Sequence, residues 1–102
     1  MADFVLAMAV SELPPGSCRE VSLEGRRVAL YNVAGKVYAT GNSCPHRGGP
    51  LAQGFLDGCL VICPWHAWAF DVRTGVCPDD GGLRLAIYQV KVEDGQLLVR
   101  VE

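Results

Sequence analysis

The chain has 102 residues, half of them hydrophobic, and it carries a net charge of −2. This length gives room for one domain, and the hydrophobic share suits a packed core and excludes a disordered chain. Its nine basic and eleven acidic residues are dispersed, so we expect no nucleic-acid partner. No apolar run approaches the roughly 20 residues of a membrane span, and the amino-terminal residues lack a basic, signal-like segment. We therefore expect a single domain, 1–102, in the cytoplasm, with no membrane partner.

The first part of the sequence predicts four strands separated by turns. Leu13-Pro14-Pro15-Gly16 ends the first strand, because proline cannot donate to a ladder. Glu24-Gly25 and Ala34-Gly35 predict two-residue hairpin turns, since glycine tolerates the positive φ that such turns need. The predicted strands are 4–10, 18–23, 26–33 and 36–40.

The second part predicts shorter strands around two irregular segments. Gly41 begins the first irregular segment, Asp57-Gly58 predicts a turn, and 76–82 reads as a loop. The predicted strands are 55–56, 59–62, 67–72, 87–92 and 97–101, the last two joined by a turn at Asp94-Gly95. Turn residues every eight to twelve positions, without a helical period, predict an all-β antiparallel sandwich or barrel.

Two short pairs of cysteine and histidine stand out as candidate metal ligands. They are Cys44-Pro45-His46 and, sixteen residues after His46, Cys63-Pro64-Trp65-His66. Thiolates and imidazoles bind zinc and iron–sulfur centres. Because each pair mixes one cysteine with one histidine, the two cysteines can bind one metal and the two histidines another. The spacing indicates a two-iron, two-sulfide cluster with unequal irons, and structural zinc is the alternative.

Both pairs, with the Phe-Asp-Val-Arg-Thr-Gly run at 70–75, resemble the Rieske [2Fe–2S] family. The resemblance is closest to the small ferredoxins of bacterial aromatic-ring-hydroxylating dioxygenase systems. It implies a Rieske-type fold with a two-loop cluster-binding part at about 41–72. It also implies one [2Fe–2S] cluster, with Cys44 and Cys63 on one iron and His46 and His66 on the other.

The resemblance further implies a function without catalytic residues. A monomeric one-electron carrier would accept electrons from a flavin-containing ferredoxin reductase and pass them to a terminal Rieske non-haem iron oxygenase. One alternative is the small Rieske subunit of a complex like assimilatory nitrite reductase. An alternative of another class is a zinc-stabilised interaction module.

Some positions depart from the membrane cytochrome-complex members of this family. Those proteins have a disulfide between the two ligand loops, where this chain has Gly49 and Trp65. They also have a serine and a tyrosine that donate hydrogen bonds to the cluster, where this chain has Trp68 and Phe70. Because fewer donors stabilise the reduced cluster less, we expect a reduction potential of about −150 mV rather than about +300 mV.

Three of the five cysteines lie outside the predicted ligand set. An odd count argues against a secreted disulfide scaffold, so we expect reduced thiols. We expect Cys18 and Cys59 to be small core residues of strands. Cys77 falls in the predicted 76–82 loop.

Overall fold

A computed structural model describes residues 4–42, 50–64, 69–77 and 80–100 of the chain. These residues form eleven strands and two short 3₁₀ helices, at Val10–Glu12 and Leu51–Gln53. The strands are β1 (Phe4–Ala9), β2 (Cys18–Leu23), β3 (Arg26–Val33), β4 (Lys36–Gly41), β5 (Phe55–Asp57), β6 (Leu60–Ile62), β7 (Ala69–Asp71), β8 (Val76–Cys77), β9 (Asp80–Arg84), β10 (Ile87–Glu93) and β11 (Gln96–Arg100). Neither 3₁₀ helix, nor any other helix in the described ranges, is long and apolar enough to cross a membrane.

Six strands form one antiparallel sheet in the order β1-β11-β10-β4-β3-β2. Its two edge strands, β1 and β2, contact each other, so the sheet curls into a nearly closed barrel. A smaller sheet has the order β5-β6-β7, and β8 pairs with β9 as a two-stranded ribbon. This architecture confirms the predicted all-β antiparallel barrel.

Three hairpins of the large sheet turn at the predicted dipeptides. In each turn both central residues have positive φ, as a type I′ turn requires. The residues and their φ angles are Glu24 (51°) and Gly25 (79°), Ala34 (52°) and Gly35 (98°), and Asp94 (53°) and Gly95 (76°). These turns fix the register of the strands that they join.

Strand β3 is buried on both of its faces. Val28 and Leu30 belong to the core inside the barrel, together with Leu97 and Val99 of β11. Because side chains alternate along a strand, the intervening residues of β3 point to the outer face of the sheet. There Ala29 and Tyr31 belong to a second core, which explains why β3 reads as an almost continuous apolar run.

The second core joins the smaller sheets to the outer face of the barrel. The residues that it contains from outside the barrel are all buried. They come from the part of the chain between the second 3₁₀ helix and the residue after β9, and they are Leu51, Val61, Cys63, Phe70, Val72, Cys77 and Leu85. The part of the chain that contains the predicted second ligand pair is therefore held on the barrel by apolar packing.

The structure corrects two predicted elements. The predicted turn at Asp57-Gly58 lies one residue later, at Gly58 and Cys59, because Asp57 pairs with Leu60 and Gly58 has φ 62°. Cys59 is consequently a half-buried turn residue. The prediction that it is a core residue of a strand was wrong.

The predicted loop at 76–82 is the second correction. Val76–Cys77 and Asp80–Arg84 are strands, and Val76 pairs with Arg84. Cys77 is 1% exposed and lies in the second core, because β8 packs against β7. Residues 78 and 79 lie outside the described ranges.

Candidate metal centre

The second predicted ligand pair belongs to the β6–β7 hairpin. Ile62 pairs with Ala69, so Cys63 is the first residue after the paired part of β6. Cys63 is 1% exposed and belongs to the second core, whereas the next residue, Pro64, is exposed. The thiol of Cys63 thus lies at the boundary between core and surface. His66 lies outside the described residues, as do Trp65 and Trp68.

A glycine at the start of β5 fixes the strand that delivers Cys63. A Cβ atom on Gly54 would overlap the carbonyl oxygen of Ile62, the residue directly before Cys63. The amide of Gly54 also donates to the carbonyl oxygen of Leu51 at 3.0 Å. Only glycine lets the chain approach β6 this closely, so Gly54 sets the position at which β6 ends.

The first predicted ligand pair lies in 43–49, outside the described residues, but both flanks of that segment are described. Asn42 is 1% exposed, and its backbone amide donates to the carbonyl oxygen of Arg27 at 3.1 Å. Its side-chain Oδ1 accepts the backbone N–H of Ala52 at 2.7 Å. One buried amide therefore connects the two ends of the segment that carries Cys44 and His46.

A buried hydroxyl pair supports the end of β4. Thr40 Oγ1 donates to the carbonyl oxygen of Gly41 at 2.9 Å and lies 2.8 Å from the hydroxyl oxygen of Tyr31. Because the single proton of Thr40 is used on Gly41, the Tyr31 hydroxyl is the donor to Thr40. Burial raises the pKa of Tyr31, so the phenol stays neutral and keeps this donor role.

The core beneath Cys63 is apolar. Phe70 is fully buried there and has no hydroxyl to donate, as the sequence implies. Cys18 packs against the same core, and its burial raises the pKa of its thiol to about 11. This thiol is consequently neutral at physiological pH. The partial burial of Cys18 agrees with the predicted packing role.

An ion pair closes the turn after β7. The guanidinium Nε and the backbone amide of Arg73 donate to Oδ1 of Asp71 at 3.0 and 2.8 Å, and Nη2 donates to Oδ2 at 2.8 Å. These bonds hold the pKa of the Asp71 carboxyl below its usual value. Since Gly75 also donates to the carbonyl oxygen of Asp71, at 2.7 Å, the 71–75 run is a defined turn.

Comparison with known proteins decides the family. A family model described as "Rieske [2Fe-2S] domain" matches residues 3–98. The chain belongs to the Rieske [2Fe–2S] domain family. As a Rieske domain it carries one Rieske-type [2Fe–2S] cluster, as the resemblance in the sequence implied.

Several relatives of this Rieske domain are close in length. The naphthalene 1,2-dioxygenase ferredoxin component of Pseudomonas aeruginosa is 38% identical, over 91% of this chain and 90% of the relative. A chain from the complex of reduced oxygenase and oxidised ferredoxin in carbazole 1,9a-dioxygenase matches with TM-score 0.88 and 33% identity, over 95% of this chain and 92% of that one. A protein called a putative NADH-dependent nitrite reductase small subunit, from Mycobacterium tuberculosis, matches with TM-score 0.90 and 31% identity, over 100% of this chain and 98% of that one.

The residues of this Rieske domain fit the cluster in their donor chemistry. A Rieske centre needs two thiolates and two imidazoles, and the sequence has both paired sets. Cys63 forms no disulfide with the other described cysteines, and it lies buried directly after β6. Within the described ranges no group of three metal-ligating side chains occurs, because Cys44, His46 and His66 lie outside them.

Two residues that the sequence did not single out shape this Rieske domain around the ligand segments. Asn42 carried a weak signal, since it is a polar residue between the end of a strand and a ligand pair. Gly54 carried none, because its φ of −81° is ordinary and the close approach that requires glycine is a tertiary contact.

Proposed function

We propose that Cys44 and Cys63 bind one iron of the cluster and that His46 and His66 bind the other. The two histidines are the only ones in the sequence, so a Rieske centre with two imidazole ligands requires both. Cys63 supports this assignment through its position directly after β6 and its burial. The chain 1–102 then forms one domain, in which about 41–72 is the cluster-binding part.

The protein is a one-electron carrier in this proposal. When bound, the cluster accepts and releases a single electron. The residues of the chain hold the ligand segments and exclude water from beneath them. Asn42 ties the ends of the first ligand segment, Gly54 sets the end of β6, and the apolar core around Phe70 keeps the base of the second pair dry.

The electron partners are a flavin-containing ferredoxin reductase and a terminal Rieske non-haem iron oxygenase of an aromatic dioxygenase system. The observation that carries this assignment is the match to the naphthalene dioxygenase ferredoxin component over 90% of that relative. The match to a chain of the carbazole dioxygenase oxygenase–ferredoxin complex supports it. The chain itself catalyses no reaction on the aromatic substrate.

A second candidate function is the small Rieske subunit of a nitrite reductase. The similarity to the Mycobacterium tuberculosis protein, with TM-score 0.90, favours it. In that case the ligand loops would lie in a permanent interface with a large subunit. The zinc-stabilised module that the sequence left open is excluded by membership of the Rieske family, whose ligands hold an iron–sulfur cluster.

Reconstitution separates the two electron-transfer functions. The purified holoprotein is mixed with NADH, a flavin-containing ferredoxin reductase and a terminal naphthalene or biphenyl dioxygenase, and product formation is followed. The carrier function predicts product only when all components are present. Stable co-purification with a large reductase subunit, and no support of any dioxygenase, would favour the nitrite reductase subunit instead.

We also infer that the carrier is a monomer in the cytoplasm. The four described cysteines, Cys18, Cys59, Cys63 and Cys77, form no disulfide with one another, which suits a reducing compartment. Size-exclusion chromatography with light scattering checks the monomer, and cell fractionation checks the location.

A further inference from the structure

An open pocket of about 500 Å³ lies at one end of the barrel. Strands β3 and β10 begin at this end, and β11 ends there. The pocket is lined by Arg26, Ala86, Ile87, Tyr88, Gln89 and Arg100. None of these residues is a predicted cluster ligand, and the pocket has no role in the function proposed above.

The charged residues described in the pocket wall are arginines. Two of its six residues are arginines, and none of the described residues that line it is acidic. The Arg26 side chain is exposed and makes no hydrogen bond or ion pair with the described part of the chain, including Glu24 two residues away. Its guanidinium is therefore available to an anion from solution or from another protein.

The second arginine is held at the wall. Arg100 Nη1 donates to the side-chain oxygen of Gln89 at 3.3 Å, and the two residues are directly paired across β10 and β11. Tyr88 also lines the pocket. Planar guanidinium groups bind carboxylates through paired, charge-assisted hydrogen bonds, which makes a carboxylate the matching ligand chemistry.

The pocket adjoins the end of β4, from which the chain continues into the first ligand segment. The backbone amide of Gly41 donates to the carbonyl oxygen of Ala86, a pocket residue, at 3.0 Å. Cys44 follows Gly41 by three residues, so their Cα atoms are at most about 11 Å apart. A protein group seated in the pocket would consequently sit next to the segment that carries Cys44 and His46.

We propose that this pocket is a docking point for an acidic, carboxylate-bearing segment of the protein that exchanges electrons with this carrier. The proposal rests on the carrier function and adds the chemistry by which the partner is recognised. The exposed guanidinium of Arg26 attracts the acidic segment during encounter, near the end of β4 that leads into the first ligand segment. Its positive charge contrasts with the net charge of −2 of the whole chain.

Matched charge variants of the holoprotein test the docking point. Arg26→Gln removes one charge from the pocket, and Arg19→Gln removes one from an exposed arginine of β2, towards the other end of the β2–β3 hairpin. At low salt, Arg26→Gln should lower the second-order electron-transfer rate constant with reductase or oxygenase by about tenfold. The deficit should shrink in about 0.5 M salt, where screening is strong. Reduction by dithionite should be unchanged, and Arg19→Gln should match the wild type.

A peptide titration gives a second, partner-independent readout. A capped tetraglutamate peptide should shift the amide NMR signals of Tyr88 and Gln89 in the oxidised holoprotein. A tetraglutamine peptide should not shift them, and the effect should weaken at least fivefold in Arg26→Gln. Inorganic phosphate is titrated in parallel, to distinguish a protein segment from a small anion.

Two results would overturn the docking point. One is equal electron-transfer rates in Arg26→Gln and Arg19→Gln, and the other is phosphate shifting the same signals at lower concentration than the peptide. If the wild type supports no oxygenase while tetraglutamate still binds at Arg26, the carrier function fails and the acidic-segment site stands. If the wild type supports an oxygenase but tetraglutamate shifts neither amide, the docking point fails and the carrier function stands.

Discussion

Asn42 is the residue through which the barrel holds the first ligand segment. Its side chain is buried and accepts the amide of Ala52, on the far side of the segment 43–49. Asn32 is a useful counterpart, because it is also buried and makes two side-chain hydrogen bonds, to Leu13 and Gly35. The two asparagines differ in what they hold: Asn42 flanks the ligand segment, whereas Asn32 lies near the β3–β4 turn.

Replacement of Asn42 by alanine should loosen the cluster as well as the fold. The Asn42→Ala variant leaves the part-buried amide of Ala52 without its acceptor, at a cost of about 1–3 kcal/mol in unfolding free energy. We expect a lower melting temperature and at least a threefold faster loss of visible absorbance in the presence of an iron chelator. Asn32→Ala should lower the melting temperature by a similar amount and keep the wild-type chelation rate. Equal acceleration in both variants would show that Asn42 acts only through global stability.

Substitution of Phe70 can show whether a missing hydrogen-bond donor causes the expected low reduction potential. The ring is fully buried in the core that contains Cys63, at the position where the high-potential relatives named above have a tyrosine. A Phe70→Tyr variant adds one donor, and about 1 kcal/mol of extra stabilisation of the reduced state corresponds to a rise of about 40 mV for a one-electron couple. Protein-film voltammetry measures the shift from a wild-type value near −150 mV. Phe70→Leu, which adds no donor, should keep the wild-type potential. An unchanged potential in a fully loaded Phe70→Tyr variant would contradict this explanation.

At the scale of elements, the hairpin β5–β6 and the 3₁₀ helix before it control where the second ligand pair begins. Gly54 approaches the backbone of Ile62 so closely that no side chain fits between them. Because Ile62 precedes Cys63, a shift of β6 moves the thiol. The element that delivers the ligand is therefore positioned by a tertiary contact and not by its own sequence.

A single methyl group at Gly54 should consequently reduce cluster loading. In Gly54→Ala the new Cβ must displace the carbonyl of Ile62, and we expect less than half of the wild-type iron and acid-labile sulfide per chain, with a destabilisation of about 1–3 kcal/mol. Gly41→Ala is the matched control, because among the described residues its Cβ would meet only Ala86, at an ordinary 3.8 Å, and Gly41 lies shortly before the other ligand segment in the chain. Full loading of Gly54→Ala would show that β6 tolerates the shift.

Some elements could be predicted from the sequence and others could not. The turns at Glu24-Gly25, Ala34-Gly35 and Asp94-Gly95 were predictable because their positive φ angles are a local property of two residues. The β8–β9 ribbon was not predictable, because the glycines at 81 and 82 favour a loop locally. The pairing of Val76 with Arg84 and the tertiary packing of Cys77 make this segment a ribbon. The same limit explains the turn at Gly58, since the pairing of Asp57 with Leu60 decides between two adjacent placements.

In the candidate site too, some residues could be predicted from the sequence and others could not. Candidate ligands could be named from the sequence, because cysteine and histidine at this spacing are typical of a Rieske centre. The supports at Asn42 and Gly54 were not, since a hydrogen bond to Ala52 and a contact with Ile62 depend on the folded chain. Cys63 lies buried directly after β6, and its role as a ligand stays a prediction, as do those of Cys44, His46 and His66.

At the scale of the whole molecule, the six-stranded sheet separates two cores. The inner core closes the barrel, and the outer core attaches the segment that delivers the ligands. Strand β3 contributes residues to both cores, so it connects the barrel with the part of the chain that carries the predicted second ligand pair. Such a scaffold suits a carrier with transient partners, because residues that flank both ligand segments are anchored to the barrel.

Pulsed EPR of the dithionite-reduced holoprotein is the most direct test of the central claim. The claim is that one [2Fe–2S] cluster has two thiolate and two imidazole ligands. The chain has only two histidines, so ¹⁵N-histidine labelling assigns any strong nitrogen coupling to His46 and His66. We predict a rhombic signal with an average g value below that of all-cysteine ferredoxins, and two strongly coupled histidine nitrogens. Coupling to fewer than two histidine nitrogens, or a signal like that of a four-cysteine cluster, would contradict the account.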